Sequence, residues 1–310
     1  MRQQWFALMV IGFISILWMS GCDKNNSTEP TTSDKEAMSA IVANDAFFQT
    51  DATLLNDGDP TSTPLYSLSK TDAMILPRAW GRKIESFNRD VNFTELSAST
   101  AVATVTITMH GFIWIRAKFT PTDTVIQTIK KPFTETITRI VKFVRSPNAQ
   151  KNWKISEISA IKGGTAGSQI TINELRFYTG SDTIIVTDPN NTFLTVEKGP
   201  RRYMPQLTVN PMTPLRVEVT VTSSASDSDI VSVHRPFWFN NHPLYHAPMT
   251  LVESTDNGDG TFTRIYASSW RGVWAGRQNM MVSAITRNSI FDSDTTKFSS
   301  QIWGVPFIVQ

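Results

Sequence analysis

The amino-acid sequence predicts a mainly β protein with an α+β N-terminal domain, in which a helix and a curved antiparallel sheet are followed by a β-sandwich. One segment, 34–50, has apolar residues at helical spacing, which predicts the helix. From about residue 78 onward, many short runs alternate apolar and polar residues, which is the pattern of half-buried strands. Thr and Ser are frequent, and β-branched residues cluster in these runs, as is typical of sheets.

The first 21 residues have the organisation of a secretory signal peptide. Arg2 gives a short positive start, and the apolar stretch 5–19 follows it. This stretch is shorter than the ~20 apolar residues that a membrane-spanning helix needs. The small residues Ser20 and Gly21 then precede Cys22, which is the only cysteine of the chain.

The segment that ends at Cys22 resembles the lipobox of bacterial lipoproteins, with Met19 where leucine is usual. The resemblance implies that Cys22 becomes the first mature residue and carries the lipid that anchors the protein in the bacterial cell envelope. Two or more acyl chains anchor a protein stably, whereas one binds only marginally. The alternative is an ordinary secretory signal with a chance cysteine. Asp23 resembles an inner-membrane retention signal of enterobacteria, but the choice between inner and outer membrane stays open.

Residues 22–35 are predicted to be a flexible tether, because they contain few apolar side chains that could be buried. The helix over 34–50 follows, with Ser33 or Asp34 as its N-terminal cap. Its apolar stripe consists of Met38, Ile41, Val42 and Phe48.

A cone-like α+β domain is predicted over 36–199. Its candidate strands are 101–118, 133–145 and 153–162, and segment 82–92 fits a helix or a bulged strand equally well. Gly111 marks a bulge or bend. This order of a helix and long strands resembles the nuclear-transport-factor-2 superfamily over 35–163, which implies a curved sheet wrapped around the helix. The glycine-rich segment 163–167 breaks the pattern, and short strands follow over 170–197.

Residues 200–310 are predicted to form an immunoglobulin-like β-sandwich, with the domain boundary at Gly199 and Pro200. The predicted strands are 215–222, 229–234, 249–254, 261–267, 279–286 and 303–309. Two patterns resemble bacterial immunoglobulin-like repeats: the hairpin segment 256–263, and the tail 303–309 as a closing strand. Pro306 in that tail is expected at a sheet edge.

Three residues of the strongest strand run are candidates for a pocket in the cone-like domain. They are His110, Trp114 and Arg116. A histidine at the mouth of the cone could act as a general base, as the resemblance implies, but a lone histidine in a strand is more often structural. Both interpretations stay open.

An aromatic loop between prolines is a candidate contact surface for a partner. Its residues are Phe237, Trp238, Phe239 and Tyr245. The alternative is that the loop folds onto the sandwich or fills a domain interface.

Metal and cofactor sites find little support in the sequence. Asp256, Asn257 and Asp259 could ligate calcium through oxygen, but no glutamate stands at the twelfth position of the loop, and a tight turn explains the same residues. His234, His242 and His246 do not fit a zinc site, because prolines make their segment a loop. No metal and no cofactor are therefore predicted.

The composition predicts a folded protein without a nucleic-acid partner. The formal net charge is +2, and no basic stripe is visible. The sequence favours a non-enzymatic binding or scaffolding lipoprotein, attached to the membrane through its lipid, whose partner is an unknown envelope protein or glycan. The alternative is a small-molecule binder or enzyme that uses a cavity in the N-terminal α+β domain.

Overall fold

The structure, a computed structural model, describes most of the chain after residue 30. The described residues are 31–58, 75–146, 153–180, 182–198, 203–205, 208–235, 238–239, 242–243, 246–271 and 275–310. The predicted signal peptide, Cys22 and most of the predicted tether lie outside these residues. No helix in the described ranges is long and apolar enough to cross a membrane.

Short helices begin the described chain, and another precedes the last strand. They are α1 Thr32–Asn44, α2 Ala46–Gln49, α3 Asp51–Leu54 and α4 Arg287–Phe291, with a 3-10 turn at Pro189–Asn191. Helix α1 starts inside the predicted tether, because Thr31 and Asp34 form a capping box. Asp45 is extended and ends α1, and its carboxylate accepts the Phe47 N–H at 3.0 Å to cap α2. The predicted helix 34–50 is therefore divided.

Three long antiparallel strands follow the helices. They are β1 Leu76–Leu96, β2 Thr100–Lys118 and β3 Gln127–Arg145. The 19 residues of β2 span about 60 Å at about 3.3 Å per residue. Segment 82–92 is a bulged strand, since the register of β1 with β2 shifts between Ile84 and Ser86. Gly111 lies opposite this bulge, where an added Cβ would be 2.0 Å from the carbonyl oxygen of Lys83.

Shorter strands make up the rest of the structure. The next seven are β4 Trp153–Ser159, β5 Ile161–Gly164, β6 Ile170–Tyr178, β7 Thr183–Val186, β8 Phe193–Lys198, β9 Tyr203–Pro205 and β10 Thr208–Val209. The last nine are β11 Pro214–Ser223, β12 Ile230–His234, β13 Trp238–Phe239, β14 His242–Pro243, β15 His246–Pro248, β16 Thr250–Asp256, β17 Phe262–Arg271, β18 Gly276–Ile285 and β19 Ser300–Val309. The six strands predicted after residue 206 are all present.

The strands form a large curled sheet and a smaller second sheet. The large sheet has the order β15-β12-β18-β19-β5-β3-β4-β8-β9, with β2 and then β1 continuing from β3 and with β10 beside β19. The second sheet has the order β16-β17-β11-β6-β7, and β13 pairs with β14 separately. The described strand pairs are antiparallel except for β10 with β19. The prediction of a mainly β protein with a curved antiparallel sheet is confirmed.

Strands from both sides of residue 199 pair in both sheets. Strand β6 pairs with β11, and β5 lies between β3 and β19. The predicted break at the glycines is wrong at Gly163 and Gly164, because these residues belong to the connecting strand β5. Glycine is required at 163, since an added Cβ would lie 2.2 Å from the carbonyl oxygen of Thr136. The predicted boundary at 199 and 200 is thus not marked by a change of sheet.

Strands β12, β18 and β19 are covered on both faces and form the middle layer of the molecule. One face packs against the second sheet, through residues that include Val282, Val305 and Phe307. The other face packs inside the curl against β2 and β3, through Met281, Ile285 and Ile302. A third apolar cluster joins α1 and α2 to the far ends of β2 and β3. Burial on both faces gives these strands nearly continuous buried runs.

The expectation that Pro306 lies at a sheet edge is wrong, because β19 has neighbours on both sides. Pro306 pairs with Asn279 of β18 on one side. On the other side, β5 pairs with residues 301–304 and β10 pairs with residues 308–309. Pro306 therefore stands in the gap between β5 and β10.

Candidate functional site

The three residues predicted at a pocket share the outer face of the sheet formed by β1, β2 and β3. Odd-numbered residues of β2 from Ala101 on are buried inside the curl, whereas the even-numbered ones are exposed or half-buried. His110 is exposed, and its Nδ1 lies 3.0 Å from the hydroxyl oxygen of Thr134. His110, Trp114 and Arg116 thus lie on one face, but they point away from the enclosed space in which a pocket was predicted.

Short polar side chains cover the middle of this outer face, which we call the threonine face. It consists of Ser86, Asn88, Asp90, Thr106, Thr108, His110, Thr134, Thr136 and Thr138. Each row joins three strands: Thr108, for example, lies between Asn88 of β1 and Thr136 of β3. Rows repeat about every 7 Å along a strand, and strands lie about 5 Å apart. The face therefore presents hydroxyl and amide groups that can both donate and accept hydrogen bonds.

Trp114 lies further along β2, where two lysines cover its ring. The Nζ atoms of Lys130 and Lys83 lie 4.0 Å and 5.4 Å from the ring centroid. Such contacts between a cation and an aromatic ring are attractive. The indole of Trp114 therefore makes cation–π contacts with two lysine ammonium groups at the surface.

A buried ion pair closes the space inside the curl. Arg82 of β1 and Glu135 of β3 are both fully buried, with Nε–Oε2 and Nη2–Oε1 distances of 3.0 Å and 3.1 Å. Arg82 also donates to Ser283 of β18 at 3.0 Å, and the hydroxyl of Ser300 of β19 donates to Glu135. Because a buried charge is tolerated only with partners, this network joins the long strands to the last two strands.

A second polar cluster lies deeper in the curl, beneath α3. Arg139 and Asp51 approach to 3.5 Å, and Asn279 accepts from Arg139 at 3.1 Å and donates to Asp51 at 2.8 Å. Burial raises the pKa of Asp51 to about 6, although the nearby Arg139 opposes this shift. Burial also lowers the pKa of Arg139. The cavity beside this cluster measures about 10 Å³, which is the space of a single water at most.

Apolar side chains of the described residues form a buried cluster inside the curl. They include Met109, Ile113, Ile137 and Ile161. A cleft of about 130 Å³ lies between α3 and β1, where Asn56 and Phe87 contribute to its lining. Small-molecule pockets usually measure about 300–1,000 Å³, so this cleft is small by comparison.

The calcium candidates take part in a hairpin turn. Asp256 accepts the N–H of Gly258 at 2.9 Å, and Asp259 accepts the N–H of Thr261 at 2.9 Å. Asn257 donates to the hydroxyl of Thr261 at 2.8 Å. Gly258 and Gly260 have positive φ angles of 78° and 84°, as the turn interpretation requires. In the described part of the chain, no group of three or more His, Cys, Asp or Glu side chains is placed to hold a metal ion.

The aromatic loop is only partly described. Phe237 and Tyr245 lie outside the described residues, and Trp238 and Phe239 form the short strand β13, of which only the backbone is described. Its use as a contact surface therefore stays a prediction. Cys22, the predicted lipid attachment site, also lies outside the described residues.

The sequence interpretation missed the buried charges inside the curl. A signal for them exists in β3, where Lys131, Glu135 and Arg139 stand at odd positions, in phase with the buried Phe133 and Ile137. Three charged residues at inward positions of one strand predict buried ion pairs or hydrogen bonds. Lys131 accordingly donates to the carbonyl oxygens of Asn288 at 3.3 Å and of Lys297 at 3.2 Å.

No family model, no curated protein and no solved structure matches this chain.

The stability of the protein should depend on pH through Asp51. Burial raises the pKa of the Asp51 carboxyl group from 3.8 to about 6 in the folded protein, so ionisation of Asp51 disfavours folding. This loss of stability develops between about pH 4 and pH 6 and is complete above that range. A pKa shift of about two units corresponds to about 3 kcal/mol of unfolding free energy. Asp51→Asn keeps an oxygen acceptor for Asn279 and removes the ionisation.

Urea unfolding at pH 4 and pH 7 checks this prediction. The unfolding free energy of Asp51→Asn minus that of the wild type should rise by about 2.5 kcal/mol between the two pH values. Other titrating groups contribute equally to both proteins, so their contributions cancel when the two free energies are subtracted. An unchanged or falling difference would show that Asp51 is not destabilised by its ionisation.

Proposed function

We propose that this chain is a lipid-anchored protein of the bacterial cell envelope that acts by binding or scaffolding, with the threonine face as its contact surface. The lipobox-like segment that ends at Cys22 supports the anchor. One observation carries the contact surface: the polar side chains of β2 point outward, while its inward side chains are buried in apolar clusters of the described residues. Among the described residues, the cavity inside the curl beside Asp51 and Arg139 measures about 10 Å³, which gives the alternative of an interior small-molecule site less support.

The chemistry of the threonine face favours a partner rich in hydrogen-bonding groups. Its hydroxyl and amide groups match the hydroxyls of a glycan or the polar surface of another envelope protein. Asp90 is the one acidic residue in the set, and His110 adds a ring that can donate or accept. The face lacks the dense positive charge that a nucleic-acid partner would require.

The finer architecture stays a prediction. The predicted division is a cone-like domain over 36–199 and an immunoglobulin-like sandwich over 200–310, but each of the three apolar clusters contains residues from both sides of residue 199. The strands on the two sides of residue 199 also share both sheets. The proposed function does not depend on this division, because the threonine face lies within β1–β3.

The anchor is tested by metabolic labelling with palmitate in a bacterial host. The wild type should incorporate the label, and Cys22→Ala should lose it, because the thiol is the acceptor of the lipid. Asp23→Ala is the matched control and should remain labelled. Equal labelling of the wild type and Cys22→Ala would contradict attachment at this residue.

The contact surface is tested by a photo-crosslinking amino acid placed in the threonine face. Position Thr108 should give several-fold more adduct with one reproducible envelope component than Thr255, an exposed strand position on the second sheet. Thr136, which is the neighbour of Thr108 across the strands, should give the same component. Equal adduct formation at Thr108 and Thr255 would contradict the proposal that the threonine face is the contact surface.

A further inference from the structure

The end of the β2–β3 hairpin combines exposed apolar side chains with a group of cations, and we call it the basic hairpin end. Its apolar residues, Phe119, Val125 and Ile126, are 40%, 66% and 41% exposed. Its cations are Arg78, Lys83, Arg116, Lys118 and Lys130, of which Arg78, Lys83 and Lys130 are exposed. The threonine face lies further along the same strands, so the two surfaces can be varied separately.

The turn of the hairpin is held in one conformation by Asp123. Its carboxylate accepts the N–H groups of Phe119 and Thr120 at 2.9 Å and 2.8 Å, and also the hydroxyl of Thr120 at 2.6 Å. These hydrogen bonds lower the pKa of Asp123. The exposure of the apolar residues beside it is therefore a property of an ordered turn.

None of the cations of the basic hairpin end lies within salt-bridge distance of a described carboxylate, although Lys118 is near enough to Asp123 to contribute to the lowering of its pKa. Elsewhere on the same sheet, by contrast, Lys142 pairs with Glu157 at 2.7 Å. Lys83 and Lys130 instead approach the same indole ring of Trp114. Two ammonium groups repel each other at such a site, so a bound anion would relieve the repulsion. The chemistry therefore favours a phosphate-bearing ligand.

The basic hairpin end lies far from the start of the folded chain. Asp34 of α1 pairs with Arg145 at 2.8 Å and accepts from Trp153 at 2.8 Å, which fixes the start of α1 at the opposite end of β3. The length of the strands puts about 60 Å between the two ends. A lipid at Cys22 is thus attached at one end of the sheet, and the basic hairpin end is presented at the other.

We infer that the basic hairpin end docks on the surface of an anionic lipid bilayer. Phe119, Val125 and Ile126 enter the boundary between headgroups and acyl chains, and the surrounding cations contact lipid phosphates. The apolar turn favours a bilayer over a soluble polyanion, because a polyanion gives no benefit for burying these side chains. The inference stands apart from the proposed function, since it requires neither the lipid on Cys22 nor the threonine face.

Co-sedimentation with vesicles tests the inference. The chain is produced without residues 1–22, which contain no described residue, and mixed with vesicles of phosphatidylcholine alone or with an equal part of phosphatidylglycerol. The protein should sediment only with the anionic vesicles, and less at high salt. Each neutralised cation should weaken binding about fivefold, so Lys83→Gln with Lys130→Gln should weaken it about twenty-fivefold.

Matched variants separate insertion from simple charge attraction. The double variant Phe119→Ser with Val125→Ser should weaken vesicle binding at least as much as the double lysine variant. The controls are Lys162→Gln, which removes an exposed cation elsewhere, and Val252→Ser, which removes an exposed apolar side chain elsewhere. Neither control should weaken binding. Unchanged thermal unfolding shows that each variant is folded. Equal binding of the wild type to neutral and anionic vesicles would overturn docking on an anionic bilayer. Docking would also be overturned if the lysine double variant lost binding while the Phe119 and Val125 double variant bound like the wild type.

Discussion

The buried ion pair between Arg82 and Glu135 is the interaction on which the rest of the structure depends. It joins the first and third long strands, and its hydrogen bonds to Ser283 and Ser300 connect these strands to the last two strands. Desolvating both charges is costly, so the pair is stable only where every strand stands in its place. It therefore constrains how β1 and β3 are placed against β18 and β19 inside the curl.

The glycines of β5 make this closure possible by allowing three strands to approach one another. An added Cβ at Gly164 would lie 2.2 Å from the carbonyl oxygen of Ser300, on the side opposite the contact of Gly163 with Thr136. Strand β5 can thus pair with β3 and β19 at once. The threonine face and the basic hairpin end, the two surfaces that we propose for contacts, lie on the outer side of β1–β3.

Local pattern predicted the strands well and their arrangement poorly. Alternation over 101–118 and 133–145 identified β2 and β3, because one face of each is buried. The pairing of β5 with β19 joins residues that are far apart in sequence, and local periodicity contains no information about such partners. Periodicity also does not say which face of a strand is inside, so His110 was expected near an interior pocket although it lies outside. The buried charges of β3 are predictable, because Lys131, Glu135 and Arg139 stand at the same alternate positions as the buried apolar residues of this strand.

The most direct test of the account is the unfolding free energy of Glu135→Gln, measured in urea. Loss of the carboxylate leaves Arg82 buried without its counterion, which should cost about 3–5 kcal/mol, whereas Glu157→Gln breaks an exposed pair and should cost less than about 1 kcal/mol. Replacing both buried partners, as Arg82→Met with Glu135→Leu, should cost less than Glu135→Gln alone. If Glu135→Gln is no less stable than Glu157→Gln, the buried pair does not hold the curl.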